Sequence, residues 1–207
     1  MNSIIKYETI DELVQKYMSN NAGKFNGVLS EQSSVTVVDL LETLVALLNE
    51  GRKLSQITVK ILAERSGYSR TTFYKYFYDI KHMLEVLEDM LDFHTKENYA
   101  TYMLMFQNAL SKEDMEKLKQ SMIYYYPYIN ICFEHNPKLY HKSRSFFTEI
   151  FSSWLREHFK NEDDLEYYMT IYSRMYVDTY LYLMQHPTSK IWDSFFSESI
   201  RIMQIAK

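Results

Sequence analysis

The sequence predicts an all-α fold, and three observations carry that expectation. Glycine is scarce: Gly23, Gly27, Gly51 and Gly67 are the whole supply, and none follows Gly67 in a chain of 207 residues. Tight hairpin turns commonly need positive φ, so a sheet protein of this composition is disfavoured. Apolar residues recur at three- and four-residue spacing through most of the chain, the period of a helix face. Good helix caps and the three prolines (Pro127, Pro137 and Pro187) punctuate that pattern.

Taken in order, "TIDELVQKYM" sets Ile10, Leu13, Val14 and Tyr17 at helical spacing behind a Thr9/Glu12 capping box, predicting a helix near 10–19. "NNAGKFNGVLSEQSS" reads as loop or linker. A second helix is expected over 36–50, with Val37, Leu40, Leu41, Leu44 and Leu48 on one face and Gly51 closing it. Thr58 caps a short helix "VKILAERS", and Ser69 caps another, "RTTFYKYF". Five longer helices follow, over 81–109, 112–135, 137–159, 162–186 and 188–206, with Ser111 and Asp114 capping the second. The chain divides into an N-terminal extension (1–35), a small helical domain (36–85) and a larger helical domain (86–207).

Net charge is −4, but its distribution matters more than its total. Arg52, Lys53, Lys60, Arg65, Arg70, Lys75 and Lys81 face only Glu64 and Asp79 across 51–82, while both flanking stretches are acidic. A basic island of this kind is the electrostatic footprint of an anionic partner. No apolar run reaches the length of a membrane span, and "MNSIIKYETIDELVQ" lacks the marks of a signal peptide. One cysteine, Cys132, excludes an internal disulfide and suits a reducing compartment, so the expected address is the cytoplasm.

Two short helices joined by a glycine-containing turn have the shape of a helix-turn-helix. Ala63 and Gly67 permit a close turn, and Leu62, Phe73, Phe77 and Ile80 supply an apolar seam. At about 100° per residue, Phe73 and Phe77 point inward together. Thr71, Thr72 and Lys75 fall on the opposite arc with Arg70 at the helix start, and Tyr74 and Tyr76 lie on the flanks. A helix in a DNA major groove needs this layout, with short polar groups and a cation toward base edges and hydroxyls toward phosphates.

"TVKILAERSGYSRTTFYKYFYDIKHML" resembles the DNA-binding signature of the TetR/AcrR-type bacterial transcriptional regulators. Thr58, Val59, Ala63, Gly67, Ser69, Thr72, Tyr74, Phe77, Lys81 and Leu84 match in register, and the resemblance covers about 37–85. The chain departs from the pattern at Ile61, Tyr68, Thr71 and Tyr76, in the longer link from Arg52 to Ile57, and in the helix that precedes the domain. Carried over by position, the resemblance makes Thr58, Tyr74, Tyr76 and Lys81 phosphate contacts and brings Arg70, Thr71, Thr72 and Lys75 toward bases. It also implies that the larger domain binds an effector and dimerises through its last two helices.

In that larger domain, Tyr168, Tyr172, Met175 and Tyr176 share a face with Thr179 and Leu183, opposite Glu166, Arg174 and Asp178. Such a face suits a small aromatic, lipophilic or cationic ligand, and equally a core or dimer interface. The six histidines are scattered, His94 with Glu97 is an incomplete metal pair, and Cys132 has no neighbouring base. No phosphate-binding glycine loop or nucleophile elbow is present. No catalytic residue, metal or cofactor is therefore expected. The expected function is a dimeric, ligand-responsive repressor on a palindromic DNA operator. The alternatives are an adaptor of the same fold controlled by a protein partner and, behind it, a helical enzyme.

Overall fold

The computed structural model describes residues 8–26, 30–106, 111–158 and 162–186, together with 190, 191 and 194. Among these residues every regular element is helical, in agreement with the all-α expectation. The helices are α1 (Ile10–Asn20), α2 (Glu31–Asn49), α3 (Val59–Ser66), α4 (Arg70–Tyr74), α5 (Ile80–Glu97), α6 (Tyr99–Phe106), α7 (Lys112–His135), α8 (Pro137–His158) and α9 (Glu162–Gln185). Single 3-10 turns occupy Ala22–Lys24 and Leu54–Gln56. The helix expected over 188–206 lies outside the described residues.

The chain forms two compact units. The first comprises Glu8–Lys96 and Asn130–His135, so α1 shares a unit with α2–α5. Its start is capped as expected: Thr9 Oγ1 accepts the Glu12 amide at 3.3 Å, and the Thr9 amide donates to Glu12 Oε2 at 3.0 Å. α1 packs on α2, α2 on α3 and α3 on α4. Ile10, Leu13, Val37, Leu40, Leu44, Leu62, Phe73, Phe77, Met83 and Leu87 form the buried centre.

α2 begins at Glu31 rather than Thr36 because Ser30 and Ser33 make a reciprocal cap. The Ser30 amide donates to Ser33 Oγ at 2.9 Å, a geometry usually supplied by Glu or Gln at that position. At the other end the Gly51 amide donates to Leu48 O at 2.9 Å and the Arg52 amide to Leu47 O at 3.3 Å. This Schellman closure requires the left-handed φ of +86° that Gly51 adopts. The long helix expected over 81–109 is two helices, broken at Asn98. Asparagine is a poor helix interior residue because its amide competes for backbone groups.

The second unit comprises residues 97–129 and 136–207 together with the first seven, and its described helices include α6, α8 and α9. α8 packs against both α6 and α9. Tyr102, Phe147 and Tyr180 meet edge-to-face, with centroids 5.0 Å apart for Tyr102–Phe147 and 4.6 Å for Phe147–Tyr180. Burial pushes the Tyr102 phenol up to about 12. At the rim of the α8–α9 contact, Arg144 clasps Asp178 through two hydrogen bonds of 2.7 and 3.2 Å. As expected, Ser111 caps α7 by accepting the Asp114 amide at 3.1 Å.

A Cβ at position 51 would touch nothing within 4 Å, so only backbone strain opposes substitution there. Gly51→Ala should lower stability by about 1 kcal/mol, the cost of left-handed backbone for an L residue. Urea unfolding should show this as a lower midpoint with unchanged slope.

Candidate nucleic-acid interface

The site is built from two short helices, α3 and α4. Thr58 caps α3 by accepting the Ile61 amide at 3.2 Å, which leaves its own hydroxyl proton free to donate elsewhere. α3 ends at Gly67, whose φ of +77° turns the chain within two residues. Ser69 then caps α4, accepting the Thr72 amide at 3.0 Å, and the Ser69 and Thr72 hydroxyls lie 2.9 Å apart. Two contacts fix this turn against α2. The Tyr68 hydroxyl donates to Asp39 at 2.6 Å, which raises the Tyr68 phenol above its usual value. Arg65 meets Glu50 at 2.7 Å.

Phe73 and Phe77 are fully buried, their rings 5.5 Å apart, as the sequence periodicity requires. Arg70, Thr71, Tyr74, Lys75, Lys81 and Thr58 are exposed, and Thr72 is half-buried. Arg70 and Lys75 make no ion pair with any described carboxylate, whereas Lys81 meets Glu85 at 3.1 Å. Three exposed cations, Arg70, Lys75 and Lys81, thus accompany short polar and aromatic neighbours on these helices.

Tyr76 departs from its expected place. It is only 9% exposed, and its ring packs edge-on to Phe77 at 6.5 Å. The reason is that α4 stops at Tyr74 rather than Phe77. Lys75 donates to Thr72 O, and Tyr76 and Phe77 both donate to Phe73 O, so the chain tightens and the 100° projection fails. The exposed ring here is Tyr78 instead, at 60%, tilted against His82 with centroids 4.7 Å apart. Sequence reading missed it because residues past the end of a helix have no fixed arc.

A second missed group comes from the segment expected to be linker. Phe25 is buried between Tyr17 (6.2 Å) and Phe77 (6.3 Å). Asn26 donates from Nδ2 to Tyr74 O at 2.8 Å, and from its backbone amide to Tyr76 O at 3.3 Å. Only tertiary structure brings these residues together, and no local signal marks them.

Of the four candidate ligand residues on α9, Met175 alone has a described side chain. The side chains of Tyr168, Tyr172 and Tyr176 lie outside the described residues, and Met175 is exposed at 51% beside Asp178. Val177, Tyr180, Leu181 and Leu183 are the buried residues among the described side chains of α9.

His94 pairs with Glu8 at 2.9 Å, and Lys16 lies 3.8 Å from the same carboxylate. No group of three or more His, Cys, Asp or Glu residues among those described could hold a metal ion. Cys132 is buried, and burial followed by the Glu88 charge pushes its thiol well above the usual range, away from the thiolate a nucleophile requires. No described helix is long and apolar enough to cross a membrane. No protein-family model matches the chain, and no curated protein matches its sequence.

The hydrogen bond from His94 holds the Glu8 carboxyl below its ordinary 4.5. A depressed acid contributes stability above its unfolded-state value and loses it as pH falls through the folded-state value. The stability gap between wild type and Glu8→Gln should therefore be open near pH 6 and close below about pH 4.5. Urea unfolding across that range measures it.

Proposed function

We propose that the chain is a DNA-binding transcriptional regulator of the TetR type, acting as a ligand-responsive repressor on a palindromic operator. The observation that carries this reading is the division of α4. Phe73 and Phe77 are buried beneath it, while Arg70, Thr71, Tyr74 and Lys75 are presented outward after the Gly67 turn. In this reading α3 and α4 are a helix-turn-helix, and α4 is the reading helix in the major groove. Arg70, Thr71, Thr72 and Lys75 approach base edges. Thr58, Tyr74 and Lys81 approach phosphates, and Thr58 has a donor proton to spare. Buried Tyr76 acts from beneath rather than as a flank contact.

A palindromic operator calls for two copies. The outer side of α9 supports that, because Tyr167 (62% exposed), Ile171, Met175 and Tyr182 fall with Asp178 inside an arc of about 80°. Apolar side chains this exposed, aligned on one helix, suit burial against a second copy. The effector is a small aromatic, lipophilic or cationic molecule bound in the larger unit. It releases DNA by favouring the dimer geometry that cannot span both half-sites. No catalytic step and no cofactor enter this reading, and its setting is the cytoplasm.

Duplexes enriched from a random-sequence library by the full-length chain provide the test. Lys75→Ala should weaken binding to the enriched duplex roughly tenfold and reduce its preference over other sequences, and Tyr74→Ala should weaken binding without changing the salt slope. Unchanged affinity in both variants would refute the assignment of α4. Separately, Met175→Glu should shift the chain from dimer to monomer in sedimentation equilibrium. Monomeric wild type, or a dimer indifferent to that substitution, removes α9 from the interface.

A further inference from the structure

We propose that Asn26 is a positioning residue for the reading helix, acting within a clamp formed by Lys24, Phe25 and Asn26. The inference rests on the DNA-binding reading and adds to it residues far from the helix-turn-helix in sequence.

α4 has only five residues, and the last carbonyls of any helix lack partners within it. Thr72 O accepts the Lys75 amide, and Phe73 O accepts those of Tyr76 and Phe77. The carbonyls of Tyr74 and Tyr76 are met by Asn26, the first through its side-chain amide and the second through its backbone. Two donors on one residue thus hold two carbonyls, one at the end of α4 and one just past it, which fixes its rotation as well as its position. The neighbours of Asn26 anchor it. Phe25 is wedged between Tyr17 of α1 and Phe77. Lys24 pairs with Asp89 of α5, its ammonium 5.6 Å from the Tyr17 ring centroid. Three consecutive residues therefore tie the reading helix to α1 and to α5.

Groups in a binding constellation must be held within about 0.5 Å and 10–20° of their working geometry. Contacts to base edges are lost when a helix turns by more than that, whereas phosphate contacts by long cationic side chains tolerate it. Loosening the clamp should consequently reduce specific binding and spare non-specific binding.

The test uses the full-length chain, the duplex it enriches from a random library, and a scrambled duplex of equal length. Asn26→Leu keeps a side chain of similar size and the backbone donor but removes the donor to the Tyr74 carbonyl without adding charge, and Asn26→Ala removes the side chain should the first variant fold poorly. Affinity for the enriched duplex should fall about tenfold, with affinity for the scrambled duplex and the salt slope unchanged. Hydrogen exchange at the Lys75, Tyr76 and Phe77 amides should quicken, with the amides of α2 unaffected. Equal losses on both duplexes, or no loss on either while Lys75→Ala remains defective, overturn the clamp alone. If the wild type enriches no duplex, or if Lys75→Ala binds the enriched duplex normally, the DNA reading fails and the clamp's role falls with it.

Discussion

Burial of Phe73 and Phe77 is the interaction on which the candidate interface depends. A five-residue helix has almost no stability of its own, since nucleation costs more than one turn of hydrogen bonds returns. Its orientation is imposed from below by two fully buried rings and from its ends by Ser69, Gly67 and Asn26. Arg70, Thr71, Tyr74 and Lys75 face outward because the phenylalanines cannot. The polar layout is thus a by-product of a hydrophobic anchor, and a change beneath the helix would move every group on top of it.

The second unit is organised by the same kind of packing on a larger scale. Phe147 stands between Tyr102 and Tyr180, joining α8 to α6 and α9, and Phe151 stacks on Trp154 within α8. The Arg144–Asp178 clasp lies at a partly exposed rim, where an ion pair chooses register more than it adds stability. Some large apolar side chains of this unit stay exposed after its core is filled. In α9 the inner face is sealed by Val177, Tyr180 and Leu181, yet Tyr167 and Ile171 remain in water.

Much of the architecture was legible in the sequence because it obeys local rules. The Thr9–Glu12 box, the caps at Thr58, Ser69 and Ser111, and the closures at Gly51 and Gly67 each depend on residues within a turn of one another. The inward pair Phe73 and Phe77 followed from helical period alone. Misses arose where a local rule had a less common form or where distance in sequence hid a contact. Ser33 did the work usually given to Glu, so α2 began early, and Asn98 broke a helix whose apolar period runs on across it. Tyr76 was misplaced because α4 ended sooner than its pattern suggested. Phe25 and Asn26 were invisible for a different reason: in a polar, glycine-flanked stretch, nothing but the folded chain shows what they touch.

The 24–26 segment also has a bearing on how this chain can change over time. Polar segments between helices are ordinarily where insertions and deletions accumulate at little cost. Here three adjacent residues have three separate destinations: Asp89, the Tyr17–Phe77 gap, and the end of α4. Adding or removing one residue between Tyr17 and Asn26 would shift all three at once, sending a phenyl ring where an amide is needed. A stretch with the composition of a spacer is held to a fixed length, and lineages of this protein should vary its letters more freely than their number.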